Sequence, residues 1–178
     1  MTSKLEKEAN MQRRSYLSLL ACGGVLSLSG CGFELRKAPS FPFKSIYSPF
    51  SIGSALGIEL RRSLESTGTV QVMTEPREID KADVIIDSLL ESREKRVVSV
   101  NSSGQVREFQ LRLRFRFRLR TPKGKTLIED TEILQQRDIG FNESAVLAKE
   151  TEEALLYREM QTDIVQQLMR RLAAATSL

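Results

Sequence analysis

Five arginines at every second position, Arg112, Arg114, Arg116, Arg118 and Arg120, are the densest set of groups in this chain that could do chemistry. A planar guanidinium grips a carboxylate or a phosphate through two parallel N–H donors, so a row of them is an anion-binding surface. Histidine, the commonest proton-transferring side chain of enzymes, is missing. The 178 residues include no histidine, which excludes Ser-His and Cys-His nucleophile pairs and every His-ligated metal site. Asp130 and Glu132 stand two apart, with no nucleophile or metal-ligand cluster beside them. Ser144 and Tyr157 read more simply as a helix-start residue and a core residue. An enzyme is not expected, and no cofactor or metal.

The arginines are positioned by a strand. From Phe109 to Arg120 apolar and polar residues alternate without a break, the period of a strand with one dry and one wet face. Phe109, Leu111, Leu113, Phe115, Phe117 and Leu119 share the dry side and need a cover. The guanidiniums share the other, each roughly 6.5–7 Å from the next. RNA-reading sheets put their aromatics on the binding face. Here the phenylalanines lie with the leucines, so nucleic acid is not expected as a partner.

A hairpin through Asn101-Ser102-Ser103-Gly104 leads into this strand, and one through Pro122-Lys123-Gly124-Lys125 leads out of it. Pairing Val100 with Gln105 sets Arg114 opposite Glu91 and Arg118 opposite Asp87, with Val84, Ile86 and Leu90 on the dry face. A bulge near Glu129 would bring Asp130 beside Arg118 and Glu132 beside Arg116. Arg112 and Arg120 have no evident partner. Arg93, Lys95, Arg96 and Arg107 add positive charge near the first turn. The row therefore reads either as an ion network within the sheet or, in part, as a surface for phosphates or an acidic partner.

Two helices supply the cover. Leu56, Leu60 and Leu64 recur every four residues between Ser54 and Ser66, with Ile52 as a staple before them and Gly68 as the C-terminal cap. Asn142 offers an N-cap to a helix over 143–174. Its apolar stripe is Leu147, Ala154, Tyr157, Ile164, Leu168 and Leu172, widened by Val165 and Met169. Lys44–Tyr47 and Val70–Met73 are short strand candidates. The expected fold is α+β: a two-layer sandwich with two helices on one face of a roughly four-stranded, mostly antiparallel sheet. Domain organisation is a leader over 1–30, a tether over 31–43 and a single domain over 44–178.

The N-terminus is an address. Met11-Gln12-Arg13-Arg14 is basic, and Tyr16 to Leu28 is apolar but shorter than the ~20 residues that span a bilayer. Leu28-Ser29-Gly30-Cys31 follows, and it resembles the lipobox of bacterial lipoproteins. That resemblance implies diacylglyceryl transfer to the Cys31 thiol, cleavage before Cys31, and a membrane anchor of several acyl chains, each buried CH₂ worth ~0.8 kcal/mol. Gly32, in place of a retaining aspartate, points to the outer membrane. Residues 1–30 hold four of the 27 basic and two of the 23 acidic residues, so the mature chain carries a net charge of +2. With Cys22 removed and Cys31 acylated, no disulfide is expected.

The mature chain resembles the LPS-assembly lipoprotein LptE family. The resemblance is carried by Cys31-Gly32-Phe33-Glu34-Leu35-Arg36, by Leu56, Leu60-Arg61 and Leu64, and by the hairpin around Ser102-Ser103-Gly104. It is also carried by Asn142 to Glu150 leading into a terminal helix with Arg170-Arg171-Leu172. It implies a plug in the outer-membrane β-barrel LptD that assists the barrel's assembly and contacts lipopolysaccharide (LPS). It also implies phosphate contacts from the start of the last helix, which here is Lys149, and from the hairpin tip. Some relatives have Arg where this chain has Ser102, so Arg107 or Arg96 would substitute, with Arg112 and Arg114 as further candidates. The alternative is a generic outer-membrane accessory lipoprotein that binds peptidoglycan or a transport complex.

Overall fold

The computed structural model describes residues 39–50, 54–142 and 146–175. The leader, Cys31, the Ile52 staple and the start of the last helix before Val146 lie outside the described residues. The elements run β1 (Ser45–Tyr47), α1 (Ala55–Glu65), β2 (Gln71–Met73), a 3-10 turn (Pro76–Lys81), β3 (Val84–Val100), β4 (Val106–Arg120), β5 (Thr126–Gly140) and α2 (Val146–Ala173). They form one sheet in the order β2-β1-β3-β4-β5. The sheet has five strands rather than about four, and it is mixed. β1 runs parallel to both β2 and β3, while β3-β4-β5 is a long antiparallel meander. Strands as short as β1 and β2 carry too little alternation to show on their own how they pair.

The dry face is covered as expected. Leu56, Leu60 and Leu64 of α1 and Ile164, Leu168 and Leu172 of α2 are fully buried against Leu111, Phe115, Phe117 and Leu119. Ser54 caps α1 by accepting the Gly57 N–H at 2.9 Å. Phe50 enters the core beside Gly57 and stacks on Phe115, ring centroids 5.8 Å apart. Phe43, in the segment read as a tether, is also buried in this core.

Two register details differ from expectation. The first hairpin closes between Asn101 and Gln105, whose N–H and C=O bond at 2.8 Å, and Gly104 takes φ +79°. Val100 therefore pairs with Val106 and not with Gln105. Over Leu90–Val97 the register is one residue from that expected, so Ser92 rather than Glu91 lies opposite Arg114. Leu90 lies opposite Arg116, on the wet face rather than the dry one. An irregularity between Ser88 and Leu90 then restores the expected register, and Asp87 does lie opposite Arg118. One extra residue in a strand moves every side chain beyond it to the other face.

A further departure is in α2. Its burial begins at Tyr157, whereas Leu147 is 79% exposed and Ala154 is exposed too. The stripe continues in sequence past the point where there is a core to bury it.

Candidate functional site

The wet face of β3-β4-β5 carries an ordered ion lattice. Arg114 donates to Glu132 at 2.9 Å and to Glu94 at 3.4 Å. Arg116 reaches Asp130 at 2.6 Å. Arg118 and Arg120 both donate to Asp87 Oδ2 at 2.8 Å. Arg120 thus has the partner that sequence reasoning did not find for it. The bulge expected near Glu129 is present: Glu132 lies opposite Arg116, and the register shifts between Phe117 and Leu119. The side chains, however, lean one rung along the strand, so Asp130 meets Arg116 and Glu132 meets Arg114.

Glu94 is the hub that sequence reasoning missed. Its carboxylate lies 2.8 Å from Arg96, 3.4 Å from Arg114 and 3.9 Å from Arg112. Burial pushes its pKa up, but the charge on Arg96 and the hydrogen bond from Arg114 outweigh this and hold it below the usual carboxylate range. An Asn-x-x-Gly turn closed by its first residue pairs 101 with 105, and that parity would have placed Glu94 on this face. Arg112 is the least satisfied member of the lattice. Among the described residues the carboxylate it reaches, that of Glu94, is at 3.9 Å, and its buried Nε has no hydrogen-bond partner.

The five arginine and lysine candidates fall into two sets. Arg96, Arg112 and Arg114 converge on Glu94 on the wet face. Arg107 belongs by strand alternation to the opposite face, with Phe109. It is exposed beside the hairpin, and its carbonyl accepts the Phe141 N–H at 2.8 Å. Lys149 is on the first turns of α2, paired with Glu152 at 2.8 Å. Arg107 and Lys149 therefore lie near one end of the helix-bearing side, and a single phosphate cannot bridge the two sets through the sheet.

That end is also apolar. The Lys95 ammonium meets Glu153 at 2.6 Å, and the Tyr157 hydroxyl donates to the Glu94 carbonyl at 2.8 Å. Moving back along α2 thus accompanies moving forward along β3. From Glu153 to Val146 the helix rises about 10 Å, equal to about three strand residues, which brings it level with Val98. On this side Val97, opposite Phe109, and Val146 are half-exposed, and Leu147 is 79% exposed. Among the described residues, no helix is long and apolar enough to cross a membrane.

A family model for LptE, lipopolysaccharide-assembly, matches residues 39–172. The chain belongs to the LptE family. The LPS-assembly lipoprotein LptE of Photorhabdus laumondii is 29% identical over 161 residues, covering 90% of this chain and 86% of that one. The solution NMR structure of a lipoprotein B from Nitrosomonas europaea is 35% identical, with a TM-score of 0.68, and the match covers 80% of this chain and 91% of that one. The crystal structure of the rare lipoprotein B from Shewanella oneidensis matches over 74% of this chain and 95% of its own. At a TM-score of 0.62 and 20% identity it is a likeness of fold alone. An LptE family member with this two-layer fold serves LPS assembly at the outer membrane.

Proposed function

We propose that the protein is an outer-membrane lipoprotein, anchored by acyl chains on Cys31, that plugs the LptD barrel, assists its assembly and binds LPS during export to the cell surface. The observation that carries the LPS part is the composition of the helix-side tip. Cationic Arg107 and Lys149 share that side with exposed Val97, Val146 and Leu147. An amphipathic lipid with phosphates on an acylated core needs both kinds of contact, and basic groups on rigid strands and helices present them in fixed positions. The plug reading is supported by the wet sheet face. An element enclosed in a polar, water-filled barrel interior needs charged faces, and this one is charged along its length.

The test is LPS binding by the full-length protein in detergent. Lys149→Ala and Arg107→Ala are each expected to weaken it. Unchanged binding in both would remove these residues from the site.

A further inference from the structure

A cleft lies at the end of the sheet remote from the Asn101–Gln105 hairpin. β3 runs 17 residues between the two ends, about 55 Å of strand. The cleft has a volume of about 570 Å³, within the ~300–1,000 Å³ of sites that bury small molecules. One wall is the end of the 3-10 turn and the residues after it, with Asp80, Ala82 and Asp83. The other is the hairpin between β4 and β5, with Pro122, Lys123 and Lys125.

Both walls stand on fixed backbone. Ile79 of the turn packs with Tyr47, Met73, Ala82 and Ile85 in a small core of its own. Ile85 lies opposite Arg120, so this core is on the arginine face. The hairpin is closed by the Thr121 N–H, which donates to the Lys125 carbonyl at 2.8 Å, and by the Lys125 N–H, which donates to the Thr121 hydroxyl at 3.1 Å. Gly124 supplies the left-handed residue of the turn at φ +90°.

The charge is divided between the walls, two lysines on the hairpin and two aspartates on the turn side. Among the described residues neither Lys123 nor Lys125 pairs with a carboxylate, and Asp80 pairs with no cation. Asp83 is fixed by the N–H groups of Lys44 and Ser45, which donate to its Oδ2 at 2.8 and 3.0 Å. Opposite charges that line a cleft without closing it suit a zwitterion, whose two charges each meet an opposite partner. A bare anion would meet the aspartates as well as the lysines, and like charges repel it. Ala82, Pro122 and the methylene stems of the lysines add apolar surface to the lining.

The path of the chain narrows the choice of zwitterion. Lys44, bonded to Asp83, brings the segment that follows Cys31 into the domain beside this cleft. Lys44 is 13 residues from Cys31, at most about 45 Å of chain. An acyl anchor on Cys31 therefore keeps the cleft within reach of the leaflet that holds it. The zwitterions of a leaflet are phospholipid headgroups that carry a phosphate and an ammonium.

We propose that this cleft binds a zwitterionic phospholipid of the anchoring leaflet, with the phosphate on Lys123 and Lys125 and the ammonium on Asp80. The inference rests on the acyl anchor of the proposed function and concerns the opposite end of the sheet from Arg107 and Lys149.

The test titrates the full-length acylated protein in detergent with short-chain phosphatidylethanolamine and follows binding by calorimetry. Saturable binding is expected. It should be about tenfold tighter than that of phosphatidylglycerol, which has the phosphate without the ammonium, and of phosphorylethanolamine, which has no acyl chains. Lys123→Gln combined with Lys125→Gln is expected to weaken both lipids about tenfold. Asp80→Asn is expected to weaken phosphatidylethanolamine alone, so that the two lipids bind alike. The melting temperature should stay at the wild-type value in each variant. Equal binding of the two lipids by the wild type, phosphorylethanolamine binding as tightly as the lipid, no binding, or binding unchanged in the variants would overturn the inference and leave the proposed function standing. A purified protein whose Cys31 carries no acyl chain by mass spectrometry would overturn the anchor itself.

Discussion

Tyr157 of α2 donates its hydroxyl hydrogen to the backbone carbonyl of Glu94 at 2.8 Å. The carboxylate of that same Glu94 serves Arg96, Arg112 and Arg114 on the other side of the sheet. One residue of β3 therefore links the helix layer to the arginine face, and the tyrosine fixes the height of α2 on the sheet. Arg93 reinforces the contact, its guanidinium 5.4 Å from the Tyr157 ring centroid.

Tyr157→Phe keeps the ring in the core and removes only this bond. A loss of about 1 kcal/mol is expected, read as a lower urea midpoint with an unchanged slope. No change in midpoint would show that the bond does not contribute to holding α2 at its height.

Gly57 faces Phe50 so closely that a Cβ there would collide with the base of the Phe50 side chain. Phe50 cannot simply swing away, because its ring stacks on Phe115. Gly57→Ala raises intrinsic helix propensity and would stabilise an exposed helix. Here overpacking is expected to win and to cost about 1–3 kcal/mol, lowering the melting temperature. A rise in melting temperature would contradict the close approach of α1 to Phe50.

How far the sequence carries this structure can be judged from particular residues. The alternation from Phe109 to Arg120 fixed both faces of β4, and the four-residue spacing of Leu56, Leu60 and Leu64 fixed the buried side of α1. Pairing Val100 with Gln105 puts Glu91 and Leu90 on the wrong faces, because register depends on one residue of turn geometry, which the closure at Asn101 and Gln105 changes. The same pairing puts Asp87 on the right one, since the irregularity next to Ser88 cancels the slip. Leu147 fits the stripe but not the core, because periodicity tells which side a residue faces and not whether anything is there. The two sets of basic candidates were separated only by knowing that Arg107 and Arg112 have opposite parity on one strand.

Stability should be flat across neutral pH and fall at both ends. The chain has no histidine to titrate near neutrality. Asp87 is held below the usual carboxylate range: burial pushes it up, and hydrogen bonds from Arg120 and Arg118 more than reverse this. Asp130 is lowered by its hydrogen bond to Arg116, and Glu94 is lowered as well. Groups depressed in the fold stabilise it above their unfolded pKa values, about 4. That stabilisation is lost as pH falls through the lower folded values. Burial and the nearby charge of Glu153 raise the Tyr157 phenol. Its contribution is complete below about 10 and is lost as pH rises through the folded value. Denaturant midpoints from pH 3 to 11 check both limbs. A transition between pH 5 and 8 would contradict the account.

The central claim is that this LptE family member acts as the plug of an outer-membrane barrel. The most direct test is to purify a C-terminally tagged copy from detergent-solubilised outer membrane and identify by mass spectrometry what accompanies it. The account predicts one large β-barrel at equal stoichiometry, with LPS bound. A lone lipoprotein, or one accompanied by inner-membrane components, would contradict it.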